Sequence, residues 1–331
     1  MKYALLWLCL CSVFADWGNN LQIALKEAAQ QKKYVLLYFS DESNCKLCSD
    51  FHRNVATKKS FMRFEETCVL CRIDPRLAKT AKEREQYSKL FNMFKVDEVP
   101  TVMCMTAKGK VFFRDVYNGE SLKDYRNLLD KILQLQVEYQ ELSQSAFSGE
   151  KISTAEKKFM CEELARLLGE CPQKAWTLRA KFAYLLFYVD TENITEKRPL
   201  AAYTVSLYTT IDKQPFISYL QKSDAHYFAK LMDQFLADHA QKLKKYFELV
   251  HHQQQKKYQK QLQSYAAQVM KMWKEYAFTT QDAEINFRIL SLQALCYKSL
   301  NDKQNFSTVW KKLQAHSNHE NFQFLRKLLQ K

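Results

Sequence analysis

The feature that most constrains this chain is the junction at Cys45-Lys46-Leu47-Cys48. Before it runs Tyr34-Val35-Leu36-Leu37-Tyr38-Phe39, β-branched and aromatic, which reads as a buried strand. After it comes Ser49 to Ala56, with Phe51 and Val55 four residues apart on one helical face. A helix start exposes unpaired N–H groups and a partial positive charge, which stabilise a thiolate. The spacing lets the second sulfur reach back and resolve a mixed disulfide. A bare CxxC is also half a zinc site, so the strand–CxxC–helix context is what favours thiol chemistry.

Further along, Val99-Pro100-Thr101 opens the run Val102-Met103-Cys104-Met105, and Lys108-Gly109-Lys110 leads into Val111-Phe112-Phe113. This reads as a strand beginning at a proline, a tight turn and an antiparallel return. Proline is tolerated at a strand's first residue, and X–Pro is the realistic site for a cis peptide. Cys68-Val69-Leu70-Cys71-Arg72-Ile73-Asp74 supplies another strand, on which the two sulfurs point to opposite faces and close no local disulfide. Cys68, Cys71 and Cys104 therefore read as core thiols, and the same geometry opposes a zinc site shared by the two CxxC pairs.

With these elements, residues 16 to about 135 resemble the thioredoxin-like superfamily. The approach from Trp17 through Leu21–Ala29 to Lys33 is most similar to periplasmic reductases of the DsbH type. The resemblance implies an α/β domain with a central mixed sheet flanked by helices. It implies Cys45 as nucleophile, Cys48 as resolving thiol, and a cis Pro100 with Val99 presenting its backbone to the substrate. Lys46 adds positive charge and is expected to help lower the Cys45 pKa. The chain departs from the family at Asn44, where tryptophan is common, and at Lys46-Leu47, in place of Gly-Pro. Tyr38 stands where the family keeps a buried carboxylate, with Asp41 or Glu42 at the loop mouth as substitutes.

The start of the chain bears on compartment. Lys2, the apolar run Tyr3–Phe14 and Val13-Phe14-Ala15 read as an export signal cut after Ala15, too short to span a bilayer. The alternative is a buried first strand or helix. Cys9 and Cys11 leave with the signal. A periplasmic or otherwise exported setting follows, with protein substrates bearing cysteines or disulfides as partners and a membrane redox partner to recharge the pair. The chemistry requires no cofactor and no metal. The net charge of +14 is spread along the chain, which suits acidic partners or an evenly solvated basic surface. No motif points to nucleic acid.

Beyond Glu120 the pattern turns helical. Ser121–Phe147 reads as a connector helix closing a 16–147 domain, with a boundary at Phe147-Ser148-Gly149-Glu150. Residues 150–331 read as an all-α domain of irregular, tetratricopeptide-like hairpins, with helices near 154–169, 173–189, 196–211, 214–221, 224–277, 281–300, 302–316 and 318–330. No fixed period supports a true repeat array. Cys161 and Cys171 flank a helix end, as a disulfide or as free thiols. The polar stretch Gln241–Gln263 suits a long exposed helix; adjacent His251 and His252 face different directions and make a poor metal pair. Aromatics at helical spacing, Tyr184, Phe187, Tyr188, Tyr203, Tyr208, Phe228 and Phe235, read as core or as the lining of a partner groove. Two functions follow: an exported thiol–disulfide oxidoreductase, or a non-catalytic envelope adaptor binding through its helical domain.

Overall fold

The computed structural model describes residues 17–148, 152–208, 213–253, 256–276 and 283–330. The expected signal with its cut after Ala15, and Cys9 and Cys11 within it, lie outside these residues. The chain divides into two compact units, one ending at Val189 and the other beginning at Asp190.

The first unit is built on a four-stranded mixed sheet. Its strands are β1 (Tyr34–Phe39), β2 (Cys68–Ile73), β3 (Thr101–Met105) and β4 (Val111–Val116), in the order β2-β1-β3-β4. β1 pairs parallel with β2 and antiparallel with β3, so the central strand is enclosed on both edges and both faces. That enclosure accounts for its unbroken apolar sequence. Val35, Leu37 and Phe39 join α1 (Leu21–Gln31) and α4 (Ala81–Met93) in one core. Tyr38, on the alternate face, meets Phe51 of α2 (Lys46–Phe51), and Phe51 in turn meets Tyr125 of α5 (Leu122–Phe147). Helices thus cover both faces. Between α2 and β2 lies the short helix α3 (Lys59–Met62).

The unit does not end at the expected boundary. Gly149 and Glu150 lie outside the described residues, and α6 (Thr154–Glu170) and α7 (Trp176–Val189) belong to the same compact unit as the sheet. The reason is specific packing. Lys181 of α7 lies over the rings of Phe112 and Tyr139, and Phe182 meets Tyr139 edge-on. Lys174 pairs with Asp115 at 3.3 Å and with Glu120. The sequence shows these helices but not which sheet they cover. Cys161 and Cys171 are both buried and are not disulfide-bonded to each other.

The second unit is all helical: α8 (Arg198–Tyr208), α9 (Gln214–Ser223), α10 (Ala225–Gln253), α11 (Lys256–Tyr276), α12 (Ala283–Ser299), α13 (Lys303–Gln314) and α14 (Phe322–Gln330). The expectation of one long helix over 224–277 is corrected. α10 and α11 are separate helices that pack on each other, and Leu243 on one and Leu262, Ala266 and Val269 on the other are buried. The side chains of Tyr208, His251 and His252 lie outside the described residues. Among the described residues, no helix is long and apolar enough to cross a membrane.

Candidate active site

Cys45 is the N-cap of α2, with extended backbone, and Cys48 lies in the helix's first turn. Their Cα atoms are 5.2 Å apart and the two are disulfide-bonded. The Cys48 N–H, one of the donors a helix start leaves unpaired, points to the Cys45 sulfur at 3.0 Å. In a dithiol state that same N–H stabilises a Cys45 thiolate. Cys45 is half-buried, Cys48 fully buried, and Lys46 and Leu47 between them are exposed. The more accessible sulfur is therefore the one at the helix tip.

The second wall of the site comes from the start of β3. The Val99–Pro100 peptide is cis, and the Val99 carbonyl oxygen lies 3.3 Å from the Cys45 sulfur. Pro100 is buried and its carbonyl accepts from the Tyr117 N–H, while Val99 stays half-exposed. The structure brings together Cys45, Cys48, Val99 and Pro100, with Lys46 exposed beside them.

Beneath the site lies a polar network that the sequence did not reveal as a unit. The β1–β2 register places Tyr38 beside Arg72, whose guanidinium lies over the Tyr38 ring. Arg72 reaches Glu42 and Asp74, each at 2.5 Å, and Arg76 reaches the same carboxylates at 2.6 and 3.1 Å. Ser40 donates to Asp74 at 2.7 Å. Burial alone would push the Asp74 carboxyl up, but hydrogen bonds from Arg76, Ser40 and Arg72 hold it down at about 2. The Tyr38 hydroxyl meets His52 Nδ1 at 2.9 Å, and burial pushes the phenol well above its ordinary value. Trp17 packs edge-on against Tyr38 and donates to the Ala56 carbonyl, closing the far side.

The two substitutes expected for the missing carboxylate thus part ways. Asp41 stays in the loop, held by Ser43 and Asn44, whereas Glu42 joins the network. His52 was overlooked, although its signal was present: it sits four residues after Cys48, on the stripe Cys48, Phe51, Val55.

A family model described as a thioredoxin-like domain matches residues 21–132. These residues form a thioredoxin-like domain. A solved DsbH oxidoreductase is similar over 36% of this chain and 85% of its own, at 19% identity and a TM-score of 0.33. No curated protein matches the chain. Within the thioredoxin-like domain, the cysteine pair lies at the N-terminus of α2 and the cis proline at the start of β3.

Proposed function

We propose that this protein is an exported thiol–disulfide oxidoreductase that exchanges disulfides with cysteine-containing proteins. Cys45 attacks the client disulfide and Cys48 resolves the mixed disulfide, with Val99 and Pro100 as the docking rim and Lys46 favouring the Cys45 thiolate. The observation that carries the reading is the disulfide-bonded pair at a helix start, with the Val99 carbonyl against the outer sulfur. An extended client backbone laid along that carbonyl brings its own sulfur to Cys45. The envelope setting rests on the signal-like first fifteen residues. A membrane partner then restores the redox state of the pair, and the second unit recruits clients or that partner.

Trapping tests it. Cys48→Ser should accumulate mixed disulfides with client proteins, because attack proceeds and resolution does not, while Cys45→Ser should accumulate none. If Cys48→Ser captures nothing and the wild type exchanges with no model disulfide, the protein is an adaptor instead.

A further inference from the structure

Cys48 is fully buried, and a buried thiol is a poor source of thiolate. The chain's own core thiols show the size of the problem: burial pushes Cys68 and Cys71 up to about 12. A resolving thiol in that setting needs a nearby group to receive its proton.

His52 is placed to serve. Its backbone N–H donates to the Cys48 carbonyl, so the two residues are one helical turn apart. That spacing sets their Cβ atoms roughly 5–6 Å apart on one face. From His52 the helix continues as a single π-type turn to Ala56, with Thr57 N–H closing onto the His52 carbonyl. Such turns re-aim side chains and recur at functional positions. The imidazole is 30% exposed, which gives it an outlet to solvent that Cys48 lacks.

Tyr38, Arg72, Glu42, Arg76 and Asp74 act on the ring, Arg76 adding to Arg72 in opposing a positive charge there. Tyr38, from β1, holds Nδ1 at 2.9 Å, and a hydroxyl donates to a neutral imidazole or accepts from a protonated one, so the contact survives either state. Arg72, from β2, lies 3.4 Å from both ring nitrogens and opposes a positive charge there. Glu42, from the loop before α2, lies 3.9 Å from Nδ1 and favours that charge, but its oxygens are engaged by Arg72 and Arg76. Asp74 is committed to Ser40, Arg72 and Arg76. Burial first, then Arg72, lowers the His52 pKa below its ordinary value, so the ring is neutral and able to take a proton at neutral pH.

We propose that His52 is a positioning residue that sets the protonation balance of Cys48 and thereby the rate and pH dependence of resolution. This rests on the exchange reading above. In the first step the Cys45 thiolate attacks a disulfide; the Cys45–S bond forms and one half leaves as thiolate. In the second, Cys48 gives up its proton to the His52-centred network and attacks Cys45. The intramolecular disulfide forms, the other half leaves as thiolate, and the proton passes to solvent. Two electrons move from the dithiol to the substrate, and no other reactant is needed.

The test uses the full-length reduced protein and dithiobis(nitrobenzoate), whose two nitrothiobenzoate anions are released one per step and followed by absorbance. His52→Gln and His52→Asn should keep the first phase and slow the second about tenfold or more near neutral pH, within the range of general-base effects. The deficit should shrink toward high pH, where Cys48 ionises unaided. Wild-type resolution should rise with pH through an inflection below about 6.5, the ordinary histidine value, and the variants should lack it. Equal second phases with the same pH profile in wild type and variants overturn the proposal while leaving exchange intact. So does loss of both phases in both variants, which makes His52 structural. If the wild type releases no anion in either step, the exchange reading itself fails and this proposal with it.

Discussion

Asp74→Asn keeps the shape of a fully buried side chain and removes its charge, so its effect can be worked out from the network. The carboxyl is held at about 2, below its ordinary value of 3.8. At roughly 1.4 kcal/mol per unit, that difference amounts to about 2 kcal/mol of stability at neutral pH. The substitution also leaves Arg72 and Arg76 facing an amide. Loss of one partner from a buried ion pair costs about 3–5 kcal/mol, but Arg72 keeps Glu42 at 2.5 Å, so the lower end applies. The expected destabilisation is about 2–3 kcal/mol. Its sign with pH is fixed by the direction of the shift. A depressed carboxyl pKa contributes fully above the unfolded value and loses that contribution as pH falls through the folded one. The gap between wild type and Asp74→Asn should therefore be widest at neutral pH and close toward about pH 2. Amide hydrogen exchange of β1 and β2 in the full chain, corrected for intrinsic rates, measures the gap where the network lies. A gap that is unchanged between neutral and acid pH, or below about 0.5 kcal/mol at neutral pH, would refute the electrostatic account.

The Tyr125 hydroxyl is buried against Phe51 and Tyr117 without a hydrogen-bond partner among the described residues. Tyr125→Phe should therefore be neutral or stabilise by up to about 1 kcal/mol, read as a rise in the denaturation midpoint. A chain cut after Val189 should be folded and exchange small disulfides. One cut after Phe147 removes Lys181 from the face of Phe112, Phe182 from Tyr139 and Lys174 from Asp115, and should be less stable by about 3 kcal/mol, roughly what burying one or two large apolar side chains contributes. Parallel melts of the two truncations decide whether the working boundary is the sequence-based one or the packing-based one.

How far the sequence could be read depended on the range of the interaction. Period-2 and period-3.6 patterns are local, so β1, the Cys45–Cys48 helix start, the Pro100 strand and most of the C-terminal helices were legible from residue order. The sheet network was not. Tyr38 meets Arg72 only because β1 and β2 pair parallel in one register, and a slip of one residue would turn Arg72 to the other face. The docking of α6 and α7 was hidden for a related reason. Their apolar faces announce that something covers them, but the Lys181 contact with Phe112 joins positions far apart in sequence, which no local pattern records. In the 224–277 segment, polar composition around a helix reads as exposure, whereas α10 and α11 pack on each other and each carries buried apolar residues.

The cysteines show why position outranks composition in assigning chemistry. Cys68 and Cys71 repeat the CxxC spacing, yet they lie on a strand, buried, with thiols pushed up to about 12. Cys171 and Cys296 are raised to the same value by burial, and Cys104 well above its ordinary range. A thiol so raised is almost wholly protonated at neutral pH and neither attacks nor is readily oxidised. Cys45 differs in every respect that governs the thiolate. It caps a helix, receives the Cys48 N–H and stands half-exposed next to the Val99 carbonyl. The same burial that silences the other thiols also acts on Cys48, and that is the physical reason a titratable side chain one turn away matters. Exchange through this pair needs one sulfur presented to the client and a second kept from it, with a route for the second sulfur's proton.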